Sequence, residues 1–256
     1  MLSKKAMKKD STLAKLTPDA TLSQITAEHQ YAGELLTSIG LNPSAHKNQT
    51  LRSVCQQRQW SEVEVLKWLK KQHRSGYRSS TEENRKETNF GNNVDQWCEY
   101  LLDDFHAVNL ELMEEIKEGL PRVHKIHGNQ YVWLKNMQWH FDRFDEALVM
   151  YYEFEEKRFF PLAETLQNAR GELLDGTIRK LQRCLKIADK DQSRLHTLMK
   201  NLTQNSNGFE NPDGACSTLC ILNQNFKSLF NALDKQFKIE QEALFPAVKT
   251  MIRAKQ

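Results

Sequence analysis

The sequence predicts an all-α protein: an up-down-up-down four-helix bundle preceded by a small helical unit. Three observations carry this. The 256 residues hold only ten Gly and six Pro. Four long stretches, 92–118, 129–160, 177–207 and 215–245, contain neither; at about 30 residues each would span roughly 40–45 Å as a helix. Apolar residues recur along them at alternating steps of three and four, the period of one helix face. No segment shows sustained alternation with β-branched residues, so no strand is expected.

The segment 1–20 is basic at its start but leads into no apolar run, so it reads as a solvated, disordered N-terminus and not a secretory signal. Residues 21–73 read as a small helical domain. Its first helical pattern, 21–40, is closed by Gly40 and Pro43. Ser61 with Glu64 forms a capping box that opens a helix through Val65, Leu66 and Leu69. Residues 74–93 are polar and nearly free of apolar side chains, which is linker composition. Proteolysis is expected to begin there, near 79–86.

The bundle occupies 94–256. Its first helix carries Leu102, Met113, Ile116 and Leu120. The second carries Leu134, Met137, Phe141, Phe144 and Leu148; the third Ile178, Leu181, Leu185, Ala188, Leu195, Met199 and Leu202. The fourth carries Leu219, Leu222, Phe226, Leu229 and Leu233. Breaks are expected at Gly119 to Pro121 with Gly128, at Pro161 to Gly176, and at Gly208 to Gly214.

Helices two and four end alike. A polar residue is followed four on by Glu, then five on by Phe and Pro: Tyr151, Glu155, Phe160, Pro161 and Gln236, Glu240, Phe245, Pro246. Extending each apolar stripe by its own step puts both glutamates at core positions. His106, four after Leu102 and four before Leu110, points inward from helix one. Buried carboxylates cost several kcal/mol each unless neutralised. A metal held by Glu and His from facing helices is one solution, protonation at a raised pKa another, and simple access to water near the helix ends a third.

Other features read as structural. The five cysteines lack a C-x-x-C pair and suit a reducing cytoplasm as buried thiols. His124 and His127 fall in the connection after helix one, and His140 and His196 beside core stripes. A net charge of +3 gives no case for nucleic acid or an anionic membrane. No apolar run approaches the roughly 18 residues that span a bilayer.

The order of modules, and the E-x-x-x-[LF]-F-P ending of helices two and four, resemble the repair-of-iron-centres family. Those are hemerythrin-like di-iron proteins of bacteria linked to nitrosative and oxidative damage of iron–sulfur clusters. The resemblance covers roughly 21–250. It implies an iron pair held by four His and two Glu. His106, Glu155 and Glu240 match ligand positions as His, Glu and Glu. The remaining His positions fall on Tyr151, on Asp189 (or Ala188) and on Gln236. This set would hold one iron or a harder metal; alternatively Tyr151 donates to Glu155 and Gln236 to Glu240, filling the site with hydrogen bonds. The family's N-terminal module carries adjacent cysteines where this chain has Ser44 and Ala45, which implies docking or dimerisation in place of thiol chemistry. The resemblance thus implies a cytoplasmic, non-enzymatic iron-binding protein with iron–sulfur proteins as partners and a homodimer as its assembly. The alternative is a metal-free helical module for protein–protein interaction.

Overall fold

The computed structural model describes residues 16–29, 31–74, 89–169 and 175–255. The first fifteen residues of the expected disordered terminus, and most of the expected linker with its 79–86 cleavage region, lie outside the described residues. The chain divides into two compact units: Met1–Lys86 with Glu210–Asn225, and Glu87–Phe209 with Phe226–Gln256. Among the described residues the structure is all-α, with a single isolated bridge between Thr21 and Thr50.

The first unit contains α1 (Leu22–Glu28), α2 (Ala32–Ser38), α3 (Leu51–Gln57) and α4 (Glu62–Arg74). The 21–40 pattern is two helices, because His29 takes an extended backbone after α1. A capping box starts α1: Thr21 Oγ1 accepts from the Gln24 N–H at 3.2 Å while Gln24 Oε1 accepts from the Thr21 N–H at 2.9 Å. The expected box at α4 is half made. Ser61 Oγ accepts from the Glu64 N–H at 3.3 Å, but the Glu64 carboxylate turns to the hydroxyls of Ser217 and Thr218, at 2.9 and 2.7 Å. Two tryptophans tie 210–225 into the same unit: Trp60 Nε1–H donates to Ala215 O at 2.7 Å and Trp68 Nε1–H to Asn225 Oδ1 at 3.1 Å. Leu22, Leu36, Leu41, Leu51 and Val65 are fully buried, each contributing about 1.5–3 kcal/mol relative to exposure.

The second unit is built on long helices. The first, α5, is made of Val94–Leu101, a π turn at Leu102–His106 and Ala107–His127. The next, α6, is made of Leu134–Phe154, a π turn at Glu155–Phe159 and Phe160–Asn168. A third, α7, spans Asp175–Asn205. The fourth, α8, begins at Ser217–Ile239, passes a π turn at Glu240–Leu244 and ends with Phe245–Ala254; the division between units falls inside its first run. The start of α5 packs on the end of α6 and on the π turn of α8, and the ends of α6 and α8 pack together. All three π turns therefore gather at one end of the bundle. Phe141 meets Phe226 edge-on at 5.6 Å, and Phe209 stacks on Phe226 at 4.6 Å.

The expected helix ends move. Pro161 and Pro246 do not stop their helices, which continue to Asn168 and Ala254. Proline lacks an N–H and crowds the carbonyl four residues back. Each of these two prolines directly follows a turn whose bonds already run five residues back, Phe160 N–H to Glu155 O and Phe245 N–H to Glu240 O. The widened turn relieves the crowding and absorbs the missing donor. Pro121 also lies inside its helix, at an exposed position. The first long helix thus ends at Gly128, whose N–H donates to His124 O at 2.8 Å. A Cβ there would meet that same oxygen at 2.5 Å, so only glycine fits. His124 and His127 accordingly sit in the last turns of α5 and not in a connection.

Candidate functional site

Three π turns frame the candidate site. Each adds a residue to a helical turn, shifting the helix phase and aiming one side chain inward; such turns concentrate at functional sites. His106 closes the turn in α5, while Glu155 and Glu240 open those in α6 and α8. Glu155 and Glu240 are completely buried and His106 is 2% exposed. The expectation that the glutamates reach water near helix ends is overturned: the helices run on past them. No Lys or Arg is among the buried residues described.

His106 bridges two carboxylates. Its Nδ1 lies 2.9 Å from Glu156 Oε1, and its Nε2 3.2 Å from Glu155 Oε2. The ring stacks on Tyr152 at 3.9 Å. Burial lowers the imidazole pKa, partly offset by the hydrogen bond it donates to Glu156. Burial pushes the Glu155 carboxyl well above the usual range; the nearby Tyr151 hydroxyl pulls it back in part, and the Glu156 charge adds to the rise. Glu156 is 40% exposed and accepts the hydrogen bond from Nδ1–H. The Nε2 lone pair then faces Glu155, so the pair is satisfied by one proton on the Glu155 carboxyl, donated to Nε2. Glu155 Oε1 has no partner.

Glu240 is the opposite case. Its Oε2 accepts from the Tyr151 hydroxyl at 2.5 Å and from Gln192 Nε2 at 2.5 Å, and its Oε1 accepts from Gln236 Nε2 at 2.7 Å. Behind Gln236, its Oε1 accepts from the Tyr152 hydroxyl at 2.9 Å and from Asn109 Nδ2 at 3.2 Å. Burial raises the Glu240 carboxyl well above the usual range, Glu155 adding to this whenever it is ionised, while the Tyr151 and Gln236 donors pull the other way. Tyr151 and Tyr152 are held protonated, chiefly by burial.

Five of the six expected site residues are therefore together: His106, Tyr151, Glu155, Gln236 and Glu240. Asp189 is not. It is exposed on α7, its Oδ1 meeting only Gln241 at 3.4 Å. Helix three contributes Gln192 instead, one turn further on. Ala188, the other expected position, is core packing. The signal was present, since Gln192 is a polar residue on the step from Ala188 to Leu195. The hydrogen bond expected from Tyr151 to Glu155 runs to Glu240, whereas the Gln236–Glu240 bond falls as expected. Asn109, Tyr152 and Glu156 were also missed. In helix one the buried face is Leu101, Phe105, His106 and Asn109; Leu102 is half-buried and Leu110 is 38% exposed. His106 turns inward through its π turn and not through a Leu102–Leu110 stripe.

This donor set does not fit a pair of iron ions. Tyr151, Gln192 and Gln236 are neutral donors committed to one carboxylate, and a metal at Glu240 would have to break all three bonds. Among the described residues no three His, Cys, Asp or Glu side chains gather as a metal cluster. Only the His106–Glu155 side offers lone pairs that converge without a second donor.

Fold and site together define an all-α helical bundle with a buried, cation-free carboxylate pair. No protein-family model matches the chain. The chain is similar to the iron-sulfur cluster repair proteins ScdA of two strains of Staphylococcus epidermidis. Each is 19% identical over 156 residues, covering 61% of this chain and 67% of the relative. No described helix is long and apolar enough to cross a membrane.

Proposed function

We propose that this protein serves iron–sulfur cluster repair as a cytoplasmic binding protein and not as an enzyme, its bundle centre closed by a shared proton and amide hydrogen bonds in place of two irons. The repair role draws its support from the distant likeness to the staphylococcal repair proteins. The closed centre rests on one observation: Glu240 accepts from three neutral donors. Its partners on this reading are iron–sulfur proteins damaged by nitrosative or oxidative stress. The test is recovery of a [4Fe–4S] dehydratase in cells after a nitric-oxide pulse. Cells lacking the gene should recover more slowly, and a Glu155→Gln copy should restore the rate as well as wild type. Equal recovery with and without the gene removes the repair role. A folded Glu155→Gln protein that fails to restore it removes the closed centre.

A second reading, one iron held by His106 Nε2 and Glu155, is favoured by the unpartnered Glu155 Oε1 beside the imidazole lone pair. The ion would supply one-electron redox chemistry, and Glu156 would orient the imidazole through Nδ1. Elemental analysis after expression in iron-rich medium separates the two. About one equivalent of iron, lost in His106→Ala, establishes the second reading; less than about a tenth, unchanged by the substitution, leaves the first.

A further inference from the structure

On the outside of the second unit, away from the buried carboxylates, an open cleft of about 480 Å³ lies between α6 and α7. Its rim carries four cations, Lys157 and Arg158 from α6 and Lys180 and Arg183 from α7. All four are exposed. Lys157 reaches back to Glu153 at 2.8 Å, while Arg158, Lys180 and Arg183 make no ion pair among the described residues. The floor is apolar, with Phe154, Leu162 and Ile187, and Ile187 is 42% exposed.

Two helix faces build this cleft, the one on α6 phased by the π turn at Glu155–Phe159. Phe154, Arg158 and Leu162 recur at steps of four, and Lys180, Arg183 and Ile187 at steps of three and four. Gathering unpaired cations around exposed apolar surface raises the energy of the free protein on both counts: like charges repel within a Debye length of about 8 Å, and apolar area stays wet. A ligand that relieves both must bring carboxylates on either side of an apolar side chain. A nucleic-acid strand would find four cations but no exposed aromatic ring to stack on, and a small anion would leave the floor uncovered.

We propose that this cleft docks an acidic segment of a partner protein, one Leu or Phe seated on Phe154, Leu162 and Ile187 and its flanking carboxylates paired with Arg158, Lys180 and Arg183. The inference does not depend on the repair role. The probe is a fluorescein-labelled peptide with Leu-Phe flanked on each side by two acidic residues, titrated against the full chain by fluorescence anisotropy. Binding should weaken at least tenfold in Lys180→Glu/Arg183→Glu, and severalfold in Ile187→Ser. The remote Lys135→Glu should bind as wild type. These positions are exposed, so helicity by circular dichroism should be unchanged in all three. Affinity should also fall as salt rises. Equal binding of a peptide with Leu-Phe replaced by Ser-Ser overturns the proposal in favour of a plain polyanion patch. Tighter binding of an oligo-dT strand, equal competition by inorganic pyrophosphate, or the absence of any binding at millimolar peptide likewise overturns it.

Discussion

Replacing Glu155 by Gln should stabilise the protein, and increasingly so as pH rises. The side chain is fully buried, its Oε1 lacks a partner and its Oε2 faces the His106 Nε2 lone pair at 3.2 Å. Burial raises the folded pKa above an unfolded value of about 4.3. Glu155 therefore contributes stability that is fully present below about pH 4.3 and is lost as pH rises through its folded value. The loss runs at up to ~1.4 kcal/mol per pH unit while the folded carboxyl stays neutral. At pH 7 the loss is at most about 4 kcal/mol. The Gln amide keeps the contact by donating to Nε2 and carries no charge, but it too leaves an oxygen unpartnered. The net gain expected at pH 7 is therefore about 1–3 kcal/mol, or roughly 2–4 °C in Tm for each kcal/mol. The assay is urea unfolding at pH 5, 6 and 7 after dialysis against chelator, followed by circular dichroism and tryptophan fluorescence. The difference between the two proteins cancels the titrating groups that do not touch Glu155, leaving Glu155 with its coupled neighbours His106 and Glu240. A variant less stable by more than about 1 kcal/mol at pH 7, or a difference that does not grow with pH, refutes the shared-proton account.

Three further outcomes follow from the same geometry. Gln192→Ala should cost about 1–3 kcal/mol, because it strips a donor from a buried carboxylate, while Asp189→Ala on the exposed side of α7 should fall within about 0.5 kcal/mol of wild type; denaturant midpoints compare them directly. Tyr151→Phe removes the hydroxyl between Gln192 and Glu240 and should cost about 1–3 kcal/mol in the same assay. Trp60→Phe removes the bond to Ala215 O, so hydrogen exchange should quicken around 215–220 more than around the fully buried Leu148.

The legible part of this fold was its period. Phe141, Phe144 and Leu148 are buried as their 3-4 spacing requires, and the same step carried to Glu155 and Glu240 found both carboxylates. The rest was hidden for a definite reason: a π turn inserts a residue without any residue type that announces it. At Leu102–His106 the phase slips, so the right histidine was found on the wrong stripe, with Leu102 and Leu110 at its edges. Helix three has no π turn, and there the error was one turn of register, Asp189 for Gln192. Local periodicity says which face of α7 is inward but not which level of that face meets Glu240. That level is set by the packing of α6 and α8 on α7, which no single segment encodes.

The prolines at 161 and 246 show how a sequence signal can be correct and still mislead. Phe-Pro after a Glu is a helix stop when the preceding turn is regular, because the ring collides with the carbonyl four residues back. Here it marks the exit of a π turn in both α6 and α8. Phe159 and Phe245, 5.6 Å apart, lock the two exits against each other. Each glutamate opens its π turn, and aromatic anchors and a proline close it. The duplicated motif is thus a device for holding two acids in the core, and it specifies the position of the carboxylates independently of what neutralises them. What surrounds Glu240 is decided elsewhere, by the residue one turn before each Glu and by helix three. In this chain those residues are Tyr151, Gln236 and Gln192, all neutral donors directed at Glu240. Histidines at the same three positions would present lone pairs where these residues present protons, so the frame that could surround metal here surrounds hydrogen bonds.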